Sequence, residues 1–140
     1  MTVAVSGGFD PIHSGHINLL KGARELGDRL VVILNNDNWV KKKKDYIFMN
    51  ESERKAVLEA IRYVDEVIVT SHSENPSDMS VATVLESIRP DIFANGGDRK
   101  EDNTPEYEVC KRLGIQMVFN VGGGKTQSSS ALVKKVRGDK

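Results

Sequence analysis

The sequence predicts a doubly wound α/β domain built on a parallel five-stranded sheet. Apolar runs rich in β-branched residues alternate with helical patterns along the chain. The strand candidates are continuous apolar runs without polar alternation, which indicates a sheet covered by helices on both faces. Because β-α-β crossovers are right-handed, this alternation gives a Rossmann-like arrangement. A length of 140 residues suits one domain, so we expect residues 1–140 to form a single unit.

Five short apolar segments are the predicted strands: 2–6, 30–35, 66–70, 91–94 and 115–121. The longest apolar run, residues 30–34, is far too short to span a bilayer and is typical of a buried strand. Ligands of doubly wound sheets bind beyond the carboxyl ends of the strands, where the strand order reverses. The loops after the first, second, fourth and fifth strands are therefore expected to converge on one site.

Five helices are predicted between and after these strands: 16–26, 51–62, 80–88, 105–113 and 129–136. The pattern is clearest in 80–88, where one stripe of a 3.6-residue period holds Val81, Val84, Leu85 and Ile88. Two other helices carry start signals. Asn50 and Glu53 have the spacing of a capping box, and Thr104 precedes Pro105 as a cap residue precedes a proline at the first helical position.

The composition is that of an ordinary soluble enzyme. Hydrophobic residues make up 39% and charged residues 29%, and 20 Lys+Arg balance 20 Asp+Glu. This balance argues against nucleic acid or a membrane surface as a partner. A single cysteine, Cys110, and no evident leader favour a reducing cytoplasm. The helical spacing of Cys110 with Tyr107 and Leu113 predicts a buried core thiol.

The first loop carries the densest functional chemistry. Gly7 and Gly8 allow close approach of a phosphate, and the helix that follows offers free N–H groups and a positive dipole end. His13 and His16 bracket Gly15, so both imidazoles are placed to donate hydrogen bonds to phosphate oxygens. Paired histidines also suit zinc, but the chain has only one further histidine and one cysteine to complete a ligand set, so we predict no bound metal of this kind.

Here the sequence resembles a known family. Gly8, Phe9 and Asp10, followed by His13, Gly15 and His16, match the G-x-F-D-x-x-H-x-G-H signature of the nucleotidylyltransferase superfamily. That superfamily includes cytidylyltransferases for glycerol phosphate and choline phosphate, adenylyltransferases for sugar phosphates, and archaeal FAD synthetases. The resemblance implies that both histidines contact the triphosphate and stabilise the pentacoordinate α-phosphorus. It also favours a homodimer.

Three further segments resemble family motifs in the first half of the chain. Asp37 lies in a segment similar to the family's N-S-D, which implies a contact with substrate. Residues 41–44 are four lysines in a predicted loop, and the resemblance assigns catalytic roles to Lys42 and Lys44. A solvated loop is the alternative for the other two lysines. Arg54 matches the family's E-x-R, which implies a substrate or phosphate contact; the alternative is a surface residue on its helix.

The second half of the chain supplies the remaining nucleotide contacts. Gly97 and Asp98, after the fourth strand, resemble the G-G-D of sugar-phosphate adenylyltransferases. After the fifth strand, a segment similar to the family's I-S-T-T implies that the β- and γ-phosphates are held by Ser128, Ser129 and Ser130, and Lys125 is a candidate for an additional phosphate-binding charge. Gln127 and the absence of an R-T-E-G stretch depart from the glycerol-phosphate enzymes. The glycine spacing also excludes a P-loop here, because Phe119 occupies the position of its first glycine.

The predicted reaction is the transfer of CMP or AMP from CTP or ATP to a phosphorylated sugar, polyol or alcohol, with release of pyrophosphate. No nucleophilic serine or cysteine is paired with a base, and none is required, because the acceptor's phosphate oxygen is itself the nucleophile. Mg²⁺ is expected on the triphosphate oxygens. Asp10 either contacts this metal through water or serves as an N-cap or loop brace. Two alternatives are an FAD-synthetase-like adenylyltransferase and a nucleotide-binding regulator without turnover.

Overall fold

A parallel sheet of five strands organises the computed structural model, which describes residues 1–96 and 105–122. The strands are β1 (Thr2–Gly7), β2 (Arg29–Leu34), β3 (Glu66–Val69), β4 (Ile92–Ala94) and β5 (Gln116–Val118). The helices are α1 (Ser14–Arg24), α2 (Asp37–Lys44), α3 (Glu51–Glu59), α4 (Ala82–Ile88) and α5 (Tyr107–Leu113). The α/β class, the parallel sheet and the five strands predicted from the sequence are confirmed.

The strand order is β3-β2-β1-β4-β5, so the direction of winding reverses between β1 and β4. One apolar layer joins the sheet to α1 and α3 through Leu20, Ala23 and Leu58. A second layer covers the opposite face with Leu85 of α4 and Val109 of α5. β2 is buried from both sides, with five of its six residues in the interior. The doubly wound prediction is therefore confirmed, and the carboxyl end of β1 is the expected ligand crevice.

The lysine-rich segment differs from its prediction. Residues 41–44 were expected in a loop, but they are the second half of α2. Asn36 caps this helix by accepting a hydrogen bond from Trp39 N–H (3.0 Å), and Val40 packs into the interior. The lysines occupy the last turn, where the negative end of the helix dipole stabilises cations. Cap, packing and dipole together offset the repulsion among the four charges.

The other helix signals have mixed outcomes. Asn50 caps α3 by accepting from Glu53 N–H (3.0 Å), as predicted. α5 begins at Tyr107 with Glu106 as its cap, so the prediction that Pro105 is the first helical residue is wrong. Thr104 and the predicted helix 129–136 lie outside the described residues.

Cys110 is buried in the layer beneath α5, as predicted. Burial, with the neighbouring Glu106 carboxylate, raises the pKa of this thiol to about 11. Cys110 is therefore a packing residue and not a thiolate nucleophile. None of the helices within 1–96 and 105–122 has the length and hydropathy needed to cross a membrane.

Candidate active site

Two histidines shape the start of α1, directly after the carboxyl end of β1. His13 is the cap residue, and its Nδ1 accepts a hydrogen bond from Gly15 N–H (3.1 Å). His16 Nδ1 accepts one from His13 N–H (3.1 Å), which closes a reciprocal capping box. A side chain at Gly15 would put its Cβ 2.9 Å from the His13 ring, so glycine is required between the two imidazoles. The H-x-G-H spacing thus builds a helix cap, a role that was not predicted from the sequence, and the phosphate contact predicted for both rings stays a prediction.

The cap also fixes the chemistry of both rings. Because each Nδ1 accepts a backbone N–H, the neutral form of each ring carries its proton on Nε2. The two rings stack with centroids 3.9 Å apart, and Phe9 meets His16 edge-on at 4.9 Å. Two Nε2–H donors are therefore presented side by side at a helix N-terminus, where an anion is stabilised.

Asp10 braces the loop that precedes these histidines. Its side chain is fully buried, and its two oxygens accept hydrogen bonds from Phe48 N–H (2.7 Å) and Met49 N–H (2.5 Å). Both oxygens are thus used within the protein. These contacts show Asp10 as a residue that holds its loop against the segment before α3. Contact with a metal through water stays a prediction.

Arg54 is buried, so the alternative that it is a surface residue on its helix is wrong. It lies in the first turn of α3 and is 1% exposed. Its guanidinium donates to the carbonyls of Met49 (2.9 Å), Gly8 (2.7 Å) and Asn35 (2.7 Å) and to the carboxylate of Asp37 (2.7 Å). Four hydrogen bonds join the loops after β1 and β2 to the start of α3. Its burial and these internal hydrogen bonds make Arg54 a positioning residue, whereas the predicted contact with substrate or phosphate stays a prediction.

Asp37, the other residue predicted to bind substrate, starts α2 and keeps 30% of its side chain exposed while paired with Arg54. Its backbone N–H donates to Glu51 Oε1 (3.0 Å). Asp37 therefore lies at the edge of the site, with its carboxylate oriented by a buried cation. A predicted contact with the acceptor remains a prediction for this residue.

The two predicted catalytic lysines face different directions. Residues two apart on a helix are separated by about 200° around its axis. Lys44 Nζ donates to Asp10 O (3.1 Å), whereas Lys42 Nζ donates to Asn75 Oδ1 (2.8 Å) on the exposed side. Burial lowers the pKa of Lys44; the Asp10 carboxylate opposes this shift and Arg54 adds to it. The structure therefore brings Lys44, and not Lys42, to the loop after β1.

This difference predicts unequal effects of two matched substitutions. Lys44→Gln is expected to lower kcat/KM about tenfold, because a cation next to the phosphate-binding loop is lost. Lys42→Gln removes the same charge from the same helix and is expected to change kcat/KM less than about threefold. Steady-state rates of pyrophosphate release from both variants check this. Equal losses would mean that the two lysines act on the nucleotide alike.

The segment after β3, residues 70–80, adjoins this site and was not singled out from the sequence. Nδ2 of Asn36 and Nδ2 of Asn38 both donate to His72 O (2.9 Å each). Trp39 Nε1 donates to Met79 O (2.7 Å). The segment is therefore fastened to the first turn of α2. The run of serine and threonine residues directly after a predicted strand was the sequence signal that could have identified this segment.

The remaining predicted contacts fall on residues that the structure does not describe: Gly97, Asp98, Lys125, Ser128, Ser129 and Ser130. The glycine-rich segment that leads to the serines begins at Gly122. A Cβ at Gly122 would come within 2.7 Å of Leu19 N, so the backbone there packs directly on α1. The chain after β5 thus starts its course beside the helix that carries His16.

Comparisons with known proteins agree with this geometry. The family model described as "Cytidylyltransferase-like" matches residues 4–121. A protein named FAD synthase from Pyrococcus horikoshii is 40% identical over 116 residues, which cover 82% of this chain and 75% of that protein. The bifunctional protein HldE from Desulfatibacillum aliphaticivorans is 33% identical over 96% of this chain and 27% of that longer protein.

A solved structure supports the fold independently. The lipopolysaccharide core biosynthesis protein from Thermoplasma volcanium superposes with a TM-score of 0.68 at 25% identity, over 85% of this chain and 94% of that one. The family model and the relatives also favour an enzyme over the non-catalytic regulator. The chain belongs to the cytidylyltransferase-like family and is a nucleotidyltransferase.

Proposed function

We propose that the protein transfers CMP or AMP from CTP or ATP to a phosphorylated sugar, polyol or alcohol and releases pyrophosphate. The observation that carries this proposal is the pair of stacked imidazoles capping α1 at the carboxyl end of β1. Each ring has its Nδ1 occupied by a backbone N–H, so each donor is aimed by the helix itself. Donors fixed before the reaction need no reorganisation when charge develops on the α-phosphate.

The proposed chemistry is a single in-line displacement. An oxygen of the acceptor's phosphate forms a bond to the α-phosphorus while the bond from that phosphorus to the bridging oxygen of pyrophosphate breaks. The protein's task is to position two anions and to balance their charge. His13 and His16 would donate to the α-phosphate oxygens, and Lys44 would follow the phosphoryl group from the side of α2.

Mg²⁺ is proposed to enter with the nucleotide and to neutralise charge on the triphosphate oxygens. Among the residues that the structure describes, no group of His, Cys, Asp and Glu side chains is placed to hold a metal ion. A metal held mainly by phosphate oxygens fits that environment. On the family resemblance, the β- and γ-phosphates are proposed to bind Ser128–Ser130 and the nucleoside to bind Gly97 and Asp98, with Lys125 as a further phosphate-binding charge.

A second candidate function is the transfer of AMP to a flavin phosphate. Its support is the group of relatives named FAD synthase, which match at 35–40% identity. The two candidates share the nucleotide site and differ in the acceptor.

The nucleotide and the acceptor can be tested separately. Thermal shift with ATP or CTP and Mg²⁺ is expected to raise the unfolding temperature for one of the two, since a ligand at a hundred times its Kd stabilises by about 2.7 kcal/mol. Pyrophosphate release is then measured with that nucleotide and a panel of phosphorylated acceptors, flavin mononucleotide included. Failure of both nucleotides to bind, with no pyrophosphate from any acceptor, would refute nucleotidyl transfer.

A further inference from the structure

A polar cavity lies beside the proposed active site, between the segment 70–80 and the start of α4. Its volume is about 220 Å³. The described lining includes six hydroxyl-bearing residues: Thr70, Ser71, Ser73, Ser77, Ser80 and Thr83. His72 and Asp78 line it as well. None of these residues has a part in the chemistry at α1, so the cavity needs its own explanation.

The wall of the cavity is held in one shape by His72. Its Nε2 is 3.0 Å from Ser80 O, a carbonyl that can only accept, so the proton must lie on Nε2. Its Nδ1 then accepts from the Thr70 hydroxyl (2.8 Å), and that hydroxyl oxygen accepts from Asn36 N–H (3.0 Å). The ring thus bridges both ends of the segment, and the chain of hydrogen bonds ends at the cap of α2. A cavity preformed in this way costs little ordering when a ligand binds.

The charge of the lining indicates which part of a ligand the cavity accepts. Asp78 is the one acidic side chain among the described lining residues, and no lysine or arginine is among them. Hydrogen bonds from Ser80 lower the pKa of Asp78 and keep its carboxylate ionised. A carboxylate repels phosphate and accepts hydrogen bonds from hydroxyl groups. The cavity therefore suits a neutral polyol and not a phosphate.

The position of the cavity matches the length of a small phosphorylated acceptor. β3 is two strands away from β1, which corresponds to about 10 Å at the usual strand spacing. A molecule with its hydroxyl end in the cavity can then present its phosphate towards the loop after β1. Lys44 lies at the far end of this path, since its Nζ contacts Asp10 O in the loop after β1.

The size of the cavity separates the two candidate acceptors. A pocket for a drug-sized ligand has a volume of about 300–1,000 Å³. The fused rings of a flavin belong to that class, whereas 220 Å³ suits a sugar or polyol. The described lining offers mostly hydroxyls, and its one aromatic ring, the imidazole of His72, is held by hydrogen bonds to Thr70 and Ser80.

We propose that this cavity binds the hydroxyl-bearing end of the acceptor and that the acceptor is a sugar or polyol phosphate, with Asp78 and Thr83 as specificity-determining residues. The inference rests on the proposed nucleotidyl transfer. It adds a binding site to that reaction and selects between its two acceptor classes.

The test combines an acceptor panel with matched variants. The panel contains glycerol 3-phosphate, ribose 5-phosphate, glucose 1-phosphate, mannose 1-phosphate and flavin mononucleotide. Asp78→Asn is expected to raise the KM for the active sugar or polyol phosphate about 10- to 100-fold and to leave the KM for the nucleotide unchanged. Thr83→Val, which keeps the shape of the side chain, is expected to act in the same direction. Glu74→Gln removes a charge from the same segment outside the lining and serves as the control.

Each result decides the inference. Turnover with a sugar or polyol phosphate, together with the selective rise in its KM in Asp78→Asn, supports it. Turnover with flavin mononucleotide alone overturns it while leaving nucleotidyl transfer in place. Equal KM values in Asp78→Asn and Glu74→Gln overturn the cavity assignment. No turnover with any sugar or polyol phosphate, although a nucleotide binds, also overturns the inference; loss of nucleotide binding as well is the separate failure of the proposed function.

Discussion

Replacing either His13 or His16 with alanine is expected to lower kcat at least about a hundredfold, the scale on which one preorganised oxyanion donor acts. Each ring is held by a backbone N–H on its Nδ1, so the Nε2–H donors are fixed before substrate arrives. Because the ring centroids are 3.9 Å apart, loss of one ring also removes the stacking contact that helps to orient the other. Single-turnover pyrophosphate release at saturating nucleotide is the measurement.

The capping role requires a control for stability. Loss of a side-chain cap costs about 1 kcal/mol on its own. His13→Asn keeps a cap acceptor for the backbone N–H and lacks the distant Nε2 donor, so it is expected to unfold near the wild-type temperature yet lose the same factor in kcat. Near-wild-type turnover in both alanine variants would remove the histidines from the mechanism. Turnover restored by asparagine would reduce His13 to a helix cap.

The sequence predicted the sheet well because its signals are local. Runs such as residues 30–34 are apolar throughout, and the burial of β2 on both faces is the physical cause of that pattern. α2 was missed because four consecutive like charges, at the position of a lysine-bearing loop in the resembled family, were read as a loop, although lysine itself is a good helix former. Its stability comes from Asn36 as a cap and from Val40 in the interior, and packing of this kind is not visible in the lysine run itself.

The site was predictable to the extent that it depends on one contiguous motif. The spacing of His13 and His16 around a helix start was enough to place both rings together. The roles of Asp10 and Arg54 depend on partners far away in sequence, such as Met49 and Gly8, and could not be derived from spacing. A signal for Arg54 was present, since it shares one helical stripe with Leu58, which is fully buried.

Arg54 is expected to be the most important single side chain for stability among the charged residues described. Arg54→Ala leaves the carbonyls of Gly8, Asn35 and Met49 without their donor in the interior and leaves Asp37 without its cation. Each buried acceptor left without its donor costs about 1–3 kcal/mol, so the loss of several acceptors at once is expected to cost a few kcal/mol. The whole domain is stable by only about 5–15 kcal/mol, so the variant should unfold at much lower urea concentration.

Two further variants distinguish the contribution of this hydrogen-bond network to stability from the contributions of the charge and the volume of the arginine. Arg54→Lys keeps the charge, but three donors on one nitrogen cannot reach acceptors on three loops, so we expect it to recover only part of the loss. Arg62→Ala removes an exposed arginine that lies over the Tyr63 ring and is expected to change the free energy of unfolding by less than about 0.5 kcal/mol. Urea denaturation of all three gives the comparison. If Arg54→Ala were as stable as Arg62→Ala, packing alone would hold the loops after β1 and β2. The ligand contact that the family resemblance implies would then be the remaining role for the guanidinium.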